Sequence, residues 1–308
     1  MTTDHPLQGL LPVLATPFND DGTLDGEGLR RLVRFQIACG ADGVAVFGMA
    51  SEGFALTTRD REQVLSVVVD EARGRVPVIA GVNATSTATA IEQAVAAADL
   101  GAEHLMVLPS YLVKATPAQL FEFYTDVADA TPAQVMLQDA PGPTGVTLPV
   151  GLIADLSRHR RITSVKIEAP PTAPKVSRLA GELGDDAVVI GGQNAFFLVE
   201  ELRGGAVGTM PACEFTDALG PVLSAASAGD WARARAEHTR LLPLIRFGMQ
   251  GGIAWAVHKQ VLVRRGVIAS ARVRLPAQPL DEASASLLDD LLDDLDLPAY
   301  AAVVQDAA

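Results

Sequence analysis

The sequence of 308 residues is poor in several features that mark whole classes of protein. Its two cysteines, Cys39 and Cys213, are too few for a disulfide framework and are typical of a reducing cytosol. No stretch reaches the roughly 20 apolar residues of a membrane span. The first 18 residues lack a basic segment ahead of an apolar one, so no signal peptide is expected. These absences predict a soluble, cytoplasmic protein that does not bind a membrane.

Basic residues are also scarce, because 24 Lys and Arg face 37 Asp and Glu, for a net charge of −13. Nucleic acid attracts basic surfaces and is therefore not an expected partner, whereas a small substrate responds only to local charge. Only four of the basic residues are lysines, so amine chemistry has few candidates: Lys114, Lys166, Lys175 and Lys259.

Metal ligands are not grouped in the sequence. The five histidines show no metal spacing, and no acidic cluster at the ends of the predicted strands replaces them. These histidines are His5, His104, His159, His238 and His258. We therefore expect no metal site.

The chain does contain a regular alternation of short apolar runs and longer amphipathic segments. The apolar runs predict eight strands, at 9–18, 43–48, 76–82, 104–110, 133–141, 162–169, 187–193 and 206–212. The amphipathic segments predict helices at 27–40, 59–74, 87–101, 117–130, 150–159, 174–184, 195–205 and from 216 onward. Eight alternating pairs predict an α/β fold, the (β/α)8 TIM barrel. A doubly wound open sheet is disfavoured, because the first strand lacks a G-x-G-x-x-G turn.

The last quarter of the chain has a helical pattern of its own. Apolar residues recur at helical spacing over 216–266, broken at two glycine-containing sites, and an acidic amphipathic helix follows over 280–297. We expect a single structural unit with two parts, a barrel over 1–224 and a C-terminal helical extension over 225–308 that packs on it.

Residues 162–169, ITSVKIEA, place two charges in a segment that otherwise reads as a buried strand. Side-chain alternation puts Ser164, Lys166 and Glu168 on one face, where charges are unfavourable unless they are paired or used. In one interpretation, Lys166 extends to water and pairs with Glu168. In the other, burial at the C-terminal end of a barrel strand disfavours the ammonium form, and Lys166 becomes a nucleophile that forms a Schiff base with a ketone.

Other strand ends supply further candidate groups. Strand two ends in GMASEG at 48–53, whose amides and Ser51 hydroxyl are suited to a carboxylate. Tyr111 after strand four offers a phenol for proton transfer. GGQN with Gly192 and GTMP with Met210 end strands seven and eight and leave room for a ligand. Each also has a structural interpretation, as a turn, a cap or a packed side chain.

Together these segments resemble the dihydrodipicolinate synthase and N-acetylneuraminate lyase family of Schiff-base (β/α)8 enzymes. The likeness covers nearly the whole chain and rests on LLPVLATPF, SEGFALT, PSY, VKIE and the glycine pair after strand seven. It implies that Lys166 forms an imine with a 2-oxo acid. It also implies a homotetramer, a dimer of dimers, in which Tyr111 acts in its own site or across a subunit contact.

Departures from that family bear on the substrate. Its usual GTTGE or GTSGE turn is GMASE here, which leaves one hydroxyl. The tyrosine that ends strand five is Gln138, and the arginine of the following loop is Pro143. A lysine-biosynthetic synthase therefore does not fit. QDAP, KIE and the GVIAS segment at 266–270 instead resemble 2-keto-3-deoxy sugar-acid dehydratases, above all L-2-keto-3-deoxyarabonate dehydratases.

This resemblance implies a dehydration without a cofactor. The substrate carboxylate would bind the Ala50–Ser51 turn while Lys166 attacks C2, and the enamine formed by loss of a C3 proton would expel the C4 hydroxyl. Glu168 is the candidate acid and base, and Gln138 would orient the substrate hydroxyls. Three alternatives stay open: a retro-aldolase that releases pyruvate, a non-catalytic sensor of 2-oxo acids, and a purely structural Lys166–Glu168 pair.

Overall fold

Eight short parallel strands form the centre of the structure, a computed structural model that describes residues 7–306. They are β1 (Gly9–Leu10), β2 (Val44–Val46), β3 (Val78–Val82), β4 (His104–Val107), β5 (Gln134–Asp139), β6 (Ile162–Ile167), β7 (Val188–Gly191) and β8 (Gly208–Thr209). Their order is β1-β8-β7-β6-β5-β4-β3-β2. The Leu14 amide donates to the Ala45 carbonyl at 2.8 Å and joins the segment after β1 to β2. The ring is thereby closed, and the predicted barrel is confirmed.

Helices follow the strands around the barrel and continue beyond it. The barrel helices are α1 (Gly26–Ala38), α2 (Thr58–Ala72), α3 (Thr87–Asp99), α4 (Pro117–Asp129), α5 (Pro141–Thr144), α6 (Val150–Ser157), α7 (Thr172–Leu183), α8 (Leu198–Arg203) and α9 (Thr216–Ser227). The C-terminal helices are α10 (Trp231–Phe247), α11 (Ala254–Arg264), α12 (Glu282–Leu295) and α13 (Tyr300–Asp306). The expected division between residues 224 and 225 falls inside α9, so the last turn of this helix belongs with the barrel. His5 lies outside the described residues.

Most predicted strands are longer than the observed ones, and two elements show the physical reason. The first strand was predicted over 9–18, but its ladder stops at Leu10, and Pro12 has no amide hydrogen to donate to a neighbouring strand. The helix predicted over 195–205 begins only at Leu198. The preceding Gln193, Asn194 and Ala195 have φ angles of 46°, 54° and 61°, which a right-handed helix excludes. The short helices α5 and α13 were not predicted, because their segments show no clear helical periodicity.

The apolar side chains form separate cores inside and outside the barrel. Inside, a cluster that includes Leu11, Met106, Met136 and Met210 fills the barrel below its C-terminal rim. Outside, a large cluster lies between the strands and α1 to α7. A third cluster joins α8 and α9 to α10, α11 and α12, so the C-terminal helices share a core with the last part of the barrel. Within residues 7–306, no helix has the length and apolar character needed to cross a membrane.

A fully buried ion pair fixes α11 to the turn after β2. Glu52 and Lys259 both have side chains without solvent exposure, and the Glu52 carboxylate contacts the Lys259 ammonium. The second Glu52 oxygen accepts from the Arg274 amide at 2.8 Å. Lys259 also donates to the Arg272 carbonyl at 2.7 Å and lies 4.2 Å from the ring centre of Phe18. Burial lowers the pKa of Lys259 to about 8, against the opposing effect of Glu52.

Breaking this pair on one side should destabilise the fold strongly. Glu52→Gln or Lys259→Met leaves one buried charge without its partner, which costs about 3–5 kcal/mol of the free energy of unfolding. The double variant should lose clearly less than the sum of the two single losses. Denaturant unfolding of all four proteins measures this coupling. Glu182→Gln, at an exposed ion pair on α7, is the control and should change stability by at most about 0.5 kcal/mol. Additive losses would show that the pair is not coupled.

Candidate active site

The amine of Lys166 lies in the upper part of the barrel. The strand ladder places Lys166 opposite Gln138 on β5 and opposite Ile190 on β7. Its side chain is 5% exposed, and its Nζ lies 3.4 Å from Glu168 Oε1. No described residue accepts a hydrogen bond from this amine. Lys166 is therefore buried beside one carboxylate, and its amine makes no hydrogen bond to a described residue.

The other three lysines are engaged in hydrogen bonds. Each ammonium donates to a main-chain carbonyl, and two of them also contact a buried carboxylate. The partners are Thr144 for Lys114, Asp139 and Leu148 for Lys175, and Glu52 and Arg272 for Lys259. Of the four lysines, all of which are described, Lys166 is the one whose amine is available for chemistry.

Glu168, the first residue after β6, is held from several sides. Gln138 donates its side-chain amide to Glu168 Oε2 at 2.8 Å. The Gln193 main-chain amide donates to Glu168 Oε1 at 3.3 Å, and its side-chain amide donates to the Glu168 carbonyl at 2.5 Å. Gly192 provides the space, because a Cβ at this position would lie 2.4 Å from Glu168 Cγ. Gln138 and Gly192, predicted to bind substrate, both contact Glu168.

Two further carboxyls lie near Glu168 and are buried. Burial raises the pKa of Asp139, and the ion pair with Lys175 at 2.5 Å opposes this effect. Burial also raises the pKa of Glu201 to about 7. Both raised pKa values include repulsion from the Glu168 carboxylate. No three His, Cys, Asp or Glu residues of the described chain are grouped as metal ligands would be.

A cavity of about 140 Å³ opens beside Lys166 and Glu168. Ala50 and Met210, both predicted from the strand ends, line it. Its wall also contains three polar or aromatic residues that the sequence did not single out as site residues: Asn194, Trp255 and His258. Four predicted site residues thus line one cavity, namely Lys166, Glu168, Ala50 and Met210. The three unpredicted residues lie in the same wall.

The turn after β2 forms one wall of this cavity. Residues Met49–Ser51 make a single helical turn, in which the Ser51 amide donates to the Gly48 carbonyl at 3.1 Å. The amides of Met49 and Ala50 have no acceptor within the described chain, as expected at the start of a helical turn. Trp255 donates its indole N–H to the Met49 carbonyl at 2.6 Å and so braces the turn from α11. These two free amides suit a carboxylate.

Ser51 and Tyr111 lie outside this cavity. Ser51 is 1% exposed, its hydroxyl has no hydrogen-bond partner, and its carbonyl accepts from Thr16 at 2.6 Å. Tyr111 is half-buried and lines a separate cavity of about 730 Å³, together with Arg61 and Asn83. Within one chain, neither side chain borders the Lys166 cavity, and their roles stay predictions.

Of the three added residues, Asn194 belongs to a motif that the sequence shows, whereas Trp255 and His258 do not. Asn194 belongs to the GGQN motif, and its left-handed backbone is a strained conformation of the kind that clusters at functional sites. Its Oδ1 accepts from the Ala212 amide at 2.8 Å, while its Nδ2 is buried without an acceptor. Trp255 and His258 are three residues apart on one face of α11. Only tertiary packing brings that helix to the barrel rim, so no local pattern identifies them.

A barrel whose sixth strand ends in a buried, unengaged lysine beside a carboxylate has the architecture of a Schiff-base barrel lyase. Comparison with known proteins gives the same class. The model of the dihydrodipicolinate synthetase family matches residues 6–295. The L-2-keto-3-deoxyarabonate dehydratase of Azospirillum brasilense is 36% identical over 280 residues, which cover 89% of each chain. The 4-hydroxy-tetrahydrodipicolinate synthase of Methanosarcina mazei is 30% identical, over 91% of this chain and 96% of its own.

Solved structures show the same fold. The dihydrodipicolinate synthase of Aquifex aeolicus superposes with a TM-score of 0.89 at 26% identity and covers 95% of this chain and 99% of its own. That of Rhodopseudomonas palustris gives 0.88 at 28% identity, with 94% and 97% covered. The chain belongs to the dihydrodipicolinate synthetase family, and it is a Schiff-base lyase of that family.

Gly192→Ala should disable the site without unfolding the barrel. The added Cβ forces Glu168 to move, and a displacement of about 1 Å at a reacting group can cost around 100-fold in rate. We expect kcat to fall to that extent while the circular dichroism spectrum stays unchanged. Gly181→Ala is the matched control, because a Cβ there meets nothing within 4 Å on an exposed face of α7. Equal activity of the two variants would contradict this role of Gly192.

Proposed function

We propose that this protein dehydrates a 2-keto-3-deoxy sugar acid similar to L-2-keto-3-deoxyarabonate through an imine on Lys166. The observation that carries the proposal is the row of three side chains across β5 and β6. The Lys166 amine lies 3.4 Å from one oxygen of Glu168, and Gln138 binds the other oxygen at 2.8 Å. Glu168 is thus positioned over the carbons next to an imine on Lys166. The 36% identity to an L-2-keto-3-deoxyarabonate dehydratase supports the same substrate class.

The reaction follows from this arrangement. The Lys166 amine attacks C2, and loss of water gives an iminium that acidifies C3. Glu168 removes a C3 proton to give an enamine, which expels the C4 hydroxyl as that hydroxyl takes up the proton. Loss of a C5 proton and return of a proton to C3 then turn the five-carbon product into an enol and finally an aldehyde at C5. Hydrolysis of the imine releases 2,5-dioxopentanoate, and one water is lost overall.

The remaining substrate groups find partners in the same cavity. We place the carboxylate at the free amides of Met49 and Ala50, one residue before the predicted Ala50–Ser51 turn, because the Ser51 amide is already bonded. Asn194 presents an unpartnered side-chain amide to a substrate hydroxyl. Gln138 acts on Glu168 and on the hydroxyls beyond it. None of these contacts requires a metal or an organic cofactor.

A homotetramer fits the loop after β4. Tyr111 does not reach the Lys166 cavity of its own chain, and its neighbours Leu112 and Val113 are 74% and 77% exposed. Such exposed apolar side chains are typical of an interface. We propose that this loop contacts a second copy of the chain, where Tyr111 serves the site of either subunit.

Carbon–carbon cleavage is the second candidate. Several relatives at 30–33% identity are named 4-hydroxy-tetrahydrodipicolinate synthase, so the family also supports the formation of carbon–carbon bonds. A retro-aldolase would use the same imine, but Glu168 would deprotonate the C4 hydroxyl instead of returning a proton to it. The five-carbon acid would then yield pyruvate and glycolaldehyde.

Formation of the imine on Lys166 can be tested by reducing it to a stable adduct. We expect borohydride reduction in the presence of pyruvate to leave a stable adduct on Lys166, located by peptide mass spectrometry. Lys166→Met should abolish the adduct and turnover, whereas Lys114→Met should retain both, because Lys114 is exposed and lies outside the Lys166 cavity. An adduct on another lysine would place the active site elsewhere. Binding of pyruvate without an adduct or turnover would favour the sensor.

The role of Glu168 is tested with Glu168→Gln. This change keeps the shape of the side chain and removes its basicity, so the pyruvate adduct should still form. Dehydration of 2-keto-3-deoxy-L-arabonate should fall by about 10²- to 10⁴-fold, the usual contribution of a general acid or base. Mass spectrometry of the products distinguishes 2,5-dioxopentanoate from pyruvate with glycolaldehyde. Unchanged turnover in this variant would leave Glu168 with a structural role only.

A further inference from the structure

His258 and Glu214 form a buried pair at the edge of the Lys166 cavity. His258 Nδ1 lies 2.7 Å from Glu214 Oε1, and the two side chains are 7% and 1% exposed. His258 belongs to α11, whereas Glu214 follows β8. Arg265 donates from Nη1 to the Glu214 main-chain carbonyl and pairs with Asp217 through Nη1 and Nη2. Among the described residues, His258 is the one whose side chain contacts the Glu214 carboxylate.

The imidazole ring is held in one orientation. Glu214 accepts from Nδ1, and Gly248 packs closely against the same edge of the ring, since a Cβ there would lie 3.0 Å from His258 Cε1. His258 Nε2 has no hydrogen-bond partner among the described residues, and His258 borders the cavity. With Nδ1 bonded to the Glu214 carboxylate, Nε2 is the nitrogen left to exchange a proton with a ligand.

His258 and Glu168 come from different parts of the barrel rim. Glu168 and Gln138 are at the ends of β6 and β5, whereas α11, which carries His258, is braced on the turn after β2, on the far side of the ring from β6. Both side chains line the same cavity of about 140 Å³. A 2-oxo acid bound to Lys166 would therefore share this small space with Glu168 and His258.

The proposed reaction still lacks a residue that transfers protons at C2, the substrate carbon that Lys166 attacks. The titratable side chains that line the cavity within the described chain are Lys166, Glu168 and His258. Lys166 is the nucleophile, and Glu168 acts at C3 and C4 in the proposed function. The amide of Gln138 cannot supply a proton of useful acidity, and the Tyr111 of the same chain lies in the other cavity. Within one chain, His258 is the group that remains.

We propose that His258, positioned by Glu214, is the acid and base at C2 during formation and hydrolysis of the Lys166 imine. The inference rests on the proposed function. As the C–N bond forms, the imidazolium gives its Nε2 proton to the C2 oxygen. The neutral ring then takes a proton from the nitrogen of the adduct and returns it to the C2 hydroxyl. The C–O bond breaks, water leaves, and the iminium remains. Hydrolysis reverses these transfers.

The test uses pyruvate, which has no C4 hydroxyl and so isolates this step from dehydration. The full-length protein is mixed with pyruvate, quenched with borohydride after set times, and the Lys166 adduct is quantified. His258→Gln should slow adduct formation by about 100-fold. The final yield should stay the same, because an acid–base catalyst changes the rate of an equilibrium and not its position. His159→Gln, at a partly exposed histidine paired with Asp129 on the surface, is the control and should react at the unmodified rate.

Two further variants separate proton transfer from folding. In His258→Ala, added imidazole should restore the rate of adduct formation, which a misfolded protein would not allow. Glu214→Gln should slow adduct formation about tenfold without changing the final yield, because Glu214 binds Nδ1 and holds the ring with Nε2 free for proton transfer. Adduct formation at the unmodified rate in His258→Gln, or no rescue by imidazole in a folded His258→Ala, overturns this inference alone. If the unmodified protein forms no adduct, the proposed function and this inference both fail.

Discussion

The buried pair between Glu52 and Lys259 is the contact on which the geometry of the site depends. It joins the turn after β2, which supplies the free amides, to α11, which supplies Trp255 and His258. Two charges without solvent exposure are stable only when each has its partner, so the turn and the helix cannot shift independently. The left-handed backbone of Glu52 adds to this constraint, since few residues adopt it without a compensating contact. The C-terminal extension therefore forms part of the wall of the Lys166 cavity and is more than a cover for the barrel.

The part of the cavity wall formed by Glu168 depends on the space that a glycine leaves free. Gly192 leaves the space that Glu168 fills, and Gln138 and Gln193 then hold the carboxylate by hydrogen bonds rather than by a strong cation. Lys166 contributes little to that restraint, because its amine is 3.4 Å away and makes no hydrogen bond to Glu168. The amine and the carboxylate are thus neighbours that remain free to react separately.

The sequence predicted the barrel because short apolar runs and amphipathic segments have distinct periods, and eight repeats allow few other architectures. It also predicted Lys166 and Glu168, since two charges in a buried strand need a reason. It could not predict which groups meet across the rim. Ser51 and Ala50 are adjacent in the chain, yet only Ala50 lines the cavity. His258 and Glu214 are 44 residues apart, and their contact follows from helix packing that has no local signal.

Two separate proton-transfer groups, as proposed for Glu168 and His258, suit a dehydration better than one group shared by both steps. Forming the imine moves protons at C2, whereas elimination moves them at C3 and C4, and each step must leave its carrier in the state that the next step needs. In the proposed elimination, Glu168 takes a proton from C3 and returns it to the C4 hydroxyl, so it ends the step as it began. In the proposed imine formation, His258 gives two protons and takes back one, so the ring ends neutral, and hydrolysis of the imine restores its proton. Under the proposed function, Gln138 in place of a tyrosine binds the carboxylate that acts in elimination, and imine chemistry is left to the imidazole of His258.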